Sequence, residues 1–212
     1  MITTVITSCG RTKLLERTLA SFTKFADLKT DIFIIEDSPK TEDQLATVRL
    51  ARNYDAIPII NTENLGQIKS IDKAYSFVET PYIFHIENDW EFLKPGFLSD
   101  SLLILEADKS ILQVWLRGLT DTNGHPVEKG DYVVNGVRFR YMETLALGGN
   151  WHGFSWNPGL RRKADYDLVK PFEQFIKPND FNALTECRIG QKYFDLGFRA
   201  VILLETYCKH IG

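Results

Sequence analysis

The first ninety residues alternate between short apolar runs and stretches in which apolar residues recur at helical spacing. The apolar runs predict strands, and the nearly continuous run of the second is typical of a strand buried on both faces. The stretches between them predict helices. The predicted strands are Thr4–Thr7, Asp31–Ile35, Ile57–Ile60 and Tyr82–Ile86. This alternation predicts an α/β protein with a mostly parallel sheet flanked by helices.

The second half of the chain has a different pattern. An Asn-Gly pair at Asn135 and Gly136 predicts a small antiparallel hairpin. We expect a helix that follows Asp180 and ends at Gly197. The apolar run Arg199–Leu204 predicts a further strand. Because no linker or repeat divides the sequence, we predict one domain over residues 1–212. The chain ends at Gly212 without a closing helix, which leaves open that it is a piece of a longer protein.

Composition limits the class of protein. The 212 residues are 44% apolar and 25% charged, an ordinary globular mixture. A net charge of −3 argues against a nucleic-acid binder, and no apolar run approaches the roughly 20 residues of a membrane span. With no signal peptide and only three scattered cysteines, we expect a cytoplasmic, reducing compartment. Oligomeric state stays open.

Polar residues collect where the predicted strands end. Ligands of parallel sheets bind beyond the carboxyl ends of the strands, so this edge is the predicted ligand site. The polar residues at these ends are Ser8, Glu36, Asp37, Asn61, Glu87 and Asp89. No glycine-rich phosphate loop follows the first strand, which disfavours a dinucleotide cofactor and P-loop ATP hydrolysis.

Two acidic clusters at this edge have alternative interpretations. Glu87, Asp89 and Glu91 lie within five residues and could bind Mg²⁺ or Mn²⁺ with a diphosphate, or form a solvated acidic turn. Glu36 and Asp37 could accept hydrogen bonds from a base or a ribose. Asp37 or Ser38 could equally cap the next helix, which the capping-box spacing of Thr41 and Gln44 predicts.

The segments also resemble, in order, those of the GT-A glycosyltransferases, specifically the inverting enzymes of family 2. The resemblance covers essentially the whole chain. The matching segments are Thr4–Ser8 with Leu14–Leu19, Ile34–Ser38, Glu63–Gly66, Tyr82–Phe92, Gly148–Asn150, Arg161–Arg162, Thr185–Glu186 and His210–Gly212. Two departures stand out: Glu87 and Asn88 replace the usual first residues of the family's DXD metal motif, and Glu186 is the single carboxylate at the base position.

The resemblance implies a GT-A fold and a set of site residues. Residues 1–92 would bind the nucleotide sugar and residues 93–212 the acceptor. The donor-binding residues would be Ser8, Arg11, Glu36, Asp37, Asn64, Gly66, Lys69 and Asn88. Asp89, Glu87 and His210 would hold Mn²⁺ or Mg²⁺, although His210 could be a polar residue at a frayed end. Glu186 would be the catalytic base, with Asp180 in reserve, unless Glu186 only complements a helix dipole.

Aromatic residues beside a glycine-rich loop suit the apolar face of a sugar. Trp151, His152 and Trp156 are therefore candidate acceptor-binding residues, with core packing as the alternative. Arg161 and Arg162 could hold a diphosphate or form a solvated face. Cys9 is expected to be buried filler.

The implied function is metal-dependent transfer, with inversion, of a hexose or deoxyhexose. The donor would be a UDP-sugar and the acceptor a glycan, a glycoprotein or another hydroxyl compound. Because the metal motif is degenerate, a GT-A-like module that binds a sugar nucleotide or glycan without turnover remains the alternative. A nucleotidyltransferase is disfavoured because a lysine-bearing glycine loop is missing after the first strand.

Overall fold

A computed structural model describes residues 1–144, 151–179 and 182–212. The strands are β1 Ile2–Ser8, β2 Thr30–Glu36, β3 Ile57–Ile60, β4 Tyr82–Glu87, β5 Trp90–Phe92, β6 Ile111–Trp115, β7 Tyr132–Val134, β8 Val137–Tyr141, β9 Gly159–Arg162, β10 Arg199–Leu203 and β11 Cys208–His210. The helices are α1 Thr12–Phe25, α2 Thr41–Asn53, α3 Gln67–Ser76, α4 Phe97–Ala107, α5 Lys163–Asp167 and α6 Asn182–Asp195, with a 3₁₀ turn at Phe172–Phe175.

The main sheet has the order β3-β2-β1-β4-β9, and β1 to β4 run parallel. Helices α1, α2 and α4 pack on one face and α3 on the other. Every residue of the central strand β1 is buried, as expected of a strand covered on both faces. The α/β fold predicted from the alternating pattern is confirmed. None of the described helices is long and apolar enough to cross a membrane.

A second sheet has the order β6-β10-β8-β7. Its β7–β8 hairpin turns at Asn135 and Gly136, whose φ angles of 49° and 86° are those of the predicted tight turn. The antiparallel pair β5–β11 forms a separate ribbon that places His210 opposite Trp90. This ribbon connects the end of the described chain to the edge where the parallel strands end.

Two predictions of local structure are wrong. Thr41 is the first residue of α2 rather than its cap, and Gln44 instead donates to the carbonyl oxygens of Ser38 (3.0 Å) and Asn61 (3.1 Å). The side chain is used to join the ends of β2 and β3, so no capping box forms. Arg161 and Arg162 form no solvated face, because β9 inserts them into the protein beside β4. Arg162 donates to three carbonyl oxygens, at 2.8–2.9 Å, and to Asp165.

Glu36 anchors the loops that follow β1 and β2. It has no exposed surface. Its carboxylate accepts hydrogen bonds from the hydroxyl groups of Ser8 (2.9 Å) and Thr47 (2.8 Å), and from the backbone N–H groups of Gly10 (2.9 Å) and Ser38 (2.8 Å). Burial of a charged group is tolerated when its lone pairs are satisfied in this way. One side chain therefore joins β1, β2 and α2 at the edge of the sheet.

Replacement of Glu36 should destabilise the protein in a graded way. Glu36→Leu leaves four donors without an acceptor, three of them in buried hydrogen bonds, and we expect a loss of about 3 kcal/mol in the free energy of unfolding. Glu36→Gln should lose only about 1 kcal/mol, because the hydroxyl groups of Ser8 and Thr47 can turn and accept from the new amide. Urea denaturation measures both, with the exposed Glu79→Gln as the control. Equal losses for Leu and Gln would contradict this account.

Candidate active site

A cleft of about 260 Å³ lies at the carboxyl ends of β1, β2 and β4. Its walls contain many of the residues predicted to form the site, namely Ser8, Arg11, Asp37, Asn64, Gly66, Glu87 and Asn88. Thr7, Cys9, Gln67 and Ser70 also line it and were not predicted. Because these residues come from separate strand ends and from the β3–α3 loop, the cleft is a product of the parallel sheet.

Asp37 holds the β3–α3 loop against the end of β2. Its carboxylate accepts the N–H groups of Leu65 (2.8 Å) and Gly66 (2.9 Å) and the side-chain amide of Asn61 (2.7 Å). Gly66 has a φ of 83°, a conformation that favours glycine. The alternative in which Asp37 caps α2 is wrong, since α2 begins after Lys40 without a side-chain cap.

Two predicted donor-binding residues lie away from this cleft. The oxygens of Glu36 are used by its four internal donors, so Glu36 supports the cleft and does not line it. Lys69 is exposed and lines a neighbouring depression with Ile176 and Thr185. Its place on α3 follows helical periodicity, which turns the residue away from the strand ends.

Asp89 and His210 are brought together by the β5–β11 ribbon. Asp89 is buried, and its Oδ2 lies 3.3 Å from His210 Nε2. Trp90, adjacent to Asp89, packs with its ring 5.1 Å from that of His210 and 5.0 Å from the Arg117 guanidinium. These contacts place His210 beside the carboxylate, so the alternative of a frayed end is wrong.

A guanidinium group also contacts Asp89. Arg11 Nη1 lies 2.8 Å from Asp89 Oδ2, and its Nη2 donates to Asn88 Oδ1 at 2.6 Å. Asn88 in turn donates to the hydroxyl of Ser8 at 3.2 Å. The first residues after β4 are therefore connected through Ser8 to the buried Glu36.

The donor set around Asp89 suits a divalent ion. Its Oδ1 is buried without a hydrogen-bond partner, and a carboxylate with a neutral imidazole is a donor pair that Mn²⁺ accepts. Among the described residues, no three His, Cys, Asp or Glu side chains converge on one point. An ion here would therefore need oxygens from a diphosphate or water to complete its coordination.

Glu87 has different neighbours from Asp89. Gln67, the first residue of α3, donates to its Oε1 at 2.6 Å. Burial raises the pKa of Glu87 to about 7, and the charge of Asp89 contributes in the same direction. Glu87 therefore faces α3, while Asp89 faces Arg11 and His210.

Glu186 is a partly buried carboxylate on α6. Its Oε1 accepts the backbone N–H of Trp156 at 2.9 Å. Burial raises its pKa to about 7, with the charge of Glu87 acting in the same direction and Arg161 in the opposite one. Glu186 is the fifth residue of α6, beyond its first turn, so the helix-dipole interpretation is wrong. Asp180 and the Gly148–Asn150 loop lie outside the described residues.

The three candidate acceptor-binding aromatics are buried. Trp151 stacks on His125 at 3.7 Å, and His152 stacks on Phe194 at 4.3 Å. Trp156 packs against neighbouring rings beneath Glu186. Their burial favours core packing, the alternative interpretation, and their role as acceptor-binding residues stays a prediction.

Two functional candidates were missed in the sequence. Gln67 bridges Glu87 and Asn182, which donates to the Gln67 side-chain oxygen. Arg117 is the second residue after β6, is buried, and binds Asp121 at 2.7 Å. The strand-end rule would have indicated Arg117 if β6 had been recognised.

Comparisons with known proteins agree with this architecture. Residues 3–169 match the model of glycosyl transferase family 2, and the chain belongs to that family. A comparison with curated protein sequences gives no match. The fold is that of the GT-A glycosyltransferases.

Solved structures with the same fold are only distantly related in sequence. The mannosyltransferase PcManGT from Pyrobaculum calidifontis, solved with GDP-Man and Mn²⁺, is 15% identical with a TM-score of 0.68, over 97% of this chain and 56% of its own. TarS 1-349 from S. aureus is 17% identical, also with a TM-score of 0.68, and the match covers 100% of this chain and 60% of TarS 1-349. GalNAc-T7, solved with UDP, GalNAc and Mn²⁺, is 12% identical with a TM-score of 0.66, and the match covers 99% of this chain and 43% of GalNAc-T7. The chain thus spans about half the length of these proteins.

Cys9 is exposed at the cleft, so the expectation of a buried residue is wrong. Partial desolvation raises the pKa of its thiol, and the carboxylates of Asp37 and Glu36 raise it further. We expect Cys9 to react first with Ellman's reagent, slowly at neutral pH and faster as the pH rises, because the thiolate is the nucleophile. Cys208 is buried and should react only on unfolding. Retention of the fast phase in Cys9→Ser would contradict the assignment.

Proposed function

We propose that this chain is the catalytic domain of an inverting glycosyltransferase that transfers a sugar from a nucleotide-sugar donor to a hydroxyl acceptor. The observation that carries the proposal is a cleft at the strand ends with two acidic groups next to its walls. Asp89, paired with His210, contacts the wall residue Arg11, and Glu186 is close enough to the wall residue Glu87 for their charges to interact. Displacement at an anomeric carbon needs neutralisation of the leaving diphosphate and removal of the acceptor proton. The two groups suit these two tasks.

The donor is assigned to the cleft in residues 1–92. Ser8, Asp37, Asn64 and Gly66 would contact the base and ribose, and Arg11 and Asn88 would lie nearer the diphosphate. Asp89 and His210 would hold Mn²⁺ or Mg²⁺, which when bound supplies positive charge to the departing diphosphate. A UDP-sugar is our proposed donor, since TarS and GalNAc-T7 are solved with UDP. PcManGT is solved with GDP-Man, so the base needs a direct test.

The acceptor side is assigned to residues 93–212. Glu186 would accept the proton of a glycan or glycoprotein hydroxyl, and the N–H of Trp156 fixes the direction of its carboxylate. A pKa of about 7 suits a base that must be ionised and still bind a proton near neutral pH. The free cysteines are consistent with the proposed cytoplasmic location.

One observation favours a second candidate, a module that binds a sugar nucleotide or glycan without turnover. Asp89, the main metal ligand of the proposed enzyme, already pairs with Arg11. A permanent pair would leave a binding cleft without its metal. Release of UDP in the presence of acceptor and Mn²⁺ distinguishes an enzyme from such a module.

Nucleotide binding should depend on Asp89. We expect Mn²⁺ to raise the melting temperature of the wild type with UDP, because a ligand that binds only the folded state stabilises it. A parallel screen of UDP, GDP and dTDP identifies the base.

Asp89→Ala should lose the Mn²⁺-dependent part of UDP binding in calorimetry. Asp31→Ala, at the opposite end of the same sheet, should leave it unchanged. Metal-enhanced UDP binding by Asp89→Ala would remove Asp89 from the site.

Sugar transfer should depend on the basicity of Glu186. Glu186→Gln keeps the size of the side chain but removes the proton acceptor, so transfer should fall by about 10²–10⁴-fold while donor binding persists. In the wild type, kcat/KM should rise with pH through about 7, because only the ionised carboxylate accepts a proton. This rise should be absent from the residual activity of Glu186→Gln. Wild-type transfer by that variant would make Asp180 the next candidate.

A further inference from the structure

Arg11 holds the cation position beside Asp89. Its guanidinium makes two separate contacts, with Asp89 Oδ2 at 2.8 Å and with Asn88 Oδ1 at 2.6 Å. The Asp89 side chain is only 7% exposed, whereas that of Arg11 is 49% exposed. One end of this ion pair is thus fixed inside the protein and the other extends from the surface of the cleft.

The backbone that carries Arg11 is fixed, but its side chain can move. Gly10 has a φ of 70° and donates its N–H to Glu36. This hydrogen bond fixes the loop at the residue before Arg11, and α1 begins directly after Arg11. The guanidinium also lines the cleft assigned to the donor. Rotation about the bonds of a long, half-exposed side chain can move the charge from Asp89 into the cleft without disturbing the loop.

Arg11 and a divalent ion cannot share Asp89 favourably. The guanidinium is 2.8 Å from Oδ2, and an ion bound to Oδ2 or to the unpartnered Oδ1 of the same carboxylate lies about 2.2 Å from that oxygen. The two cations would then lie only a few ångströms apart and repel each other. His210, the second donor, faces the same oxygen at 3.3 Å. Repulsion between the two charges therefore favours departure of Arg11 when an ion binds Asp89.

We propose that Arg11 is an internal counter-cation, which leaves Asp89 when a divalent ion binds and then pairs with the diphosphate of the donor. The inference rests on the proposed function and adds a rule for the order of binding. The ion alone competes with Arg11 and binds weakly. A diphosphate gives the displaced guanidinium a new bidentate partner, so ion and nucleotide bind cooperatively.

The test measures Mn²⁺ binding directly, from the electron paramagnetic resonance signal of the free ion, with and without UDP. Arg11→Gln should bind Mn²⁺ alone about tenfold more tightly than the wild type, the effect of removing one charged hydrogen-bonded competitor. Its gain in Mn²⁺ affinity upon addition of UDP should be smaller than that of the wild type. Arg11→Lys should be intermediate, because a lysine keeps the charge but cannot contact Asp89 and Asn88 together.

Two variants serve as controls. Arg17→Gln removes a similarly exposed arginine that lies 3.5 Å from Glu91, and it should leave Mn²⁺ affinity unchanged. Arg11→Gln combined with Asp89→Asn should lose the tight Mn²⁺ site, which assigns the bound ion to Asp89. Retention of tight binding by the double variant would overturn the proposal.

Failure of this inference is distinguishable from failure of the proposed function. If Arg11→Gln binds Mn²⁺ alone no more tightly than the wild type, the counter-cation role is overturned, while sugar transfer measured on the same samples still supports the enzyme. If no variant binds Mn²⁺ with or without UDP, the counter-cation role and the metal dependence are both overturned. Transfer without Mn²⁺ would then identify a metal-independent enzyme.

Discussion

The buried carboxylate of Glu36 is the interaction on which the candidate site depends. It draws the hydroxyl of Ser8, the N–H of Gly10 and the N–H of Ser38 to one point beneath the cleft. Ser8 ends β1 and Gly10 follows it in the loop that leads to Arg11, while Ser38 directly follows Asp37 in the loop after β2; Arg11 and Asp37 both line the cleft. Without an acceptor there, the strand ends would carry unsatisfied donors, and the positions of both residues would be lost. The buried acid Glu36 thus orders the two loops that carry Arg11 and Asp37.

Three other carboxylates at the same edge are stabilised in three different ways. Asp89 contacts a guanidinium and an imidazole, Glu87 accepts from the Gln67 amide, and Glu186 accepts one backbone N–H. The latter two have pKa values raised to about 7, since burial exceeds the compensation they receive. Asp89, which lies among charged and metal-binding groups, occupies a position suited to a cation. Glu186, whose pKa is raised, occupies a position suited to the exchange of a proton. The division of tasks in the proposed enzyme follows from these environments.

Long-range pairing brings the decisive groups together. The β5–β11 ribbon joins the residues after β4 to the last strand of the chain, and thereby places His210 beside Asp89. Strand β9 crosses from the second half of the sequence into the first sheet and carries Arg161 into the interior. The Arg161 charge acts on Glu186 and opposes the rise in its pKa. The proposed donor and acceptor sides are therefore connected through one sheet.

The parallel strands β1 to β4, the β7–β8 hairpin and the edge of the sheet that carries the candidate site could be predicted from the sequence. These depend on local periodicity, on turn residues such as Asn135 and Gly136, and on a general rule of parallel sheets. The environment of each residue at that edge could not be predicted, because it depends on tertiary packing. Glu36 and Asp37 are adjacent and chemically alike, yet one is sealed beneath the cleft and the other lines it. Trp151 and Trp156 were predicted from the sequence to bind a sugar, and in the fold both are buried. Burial and pairing depend on residues distant in sequence, and no local pattern contains that information.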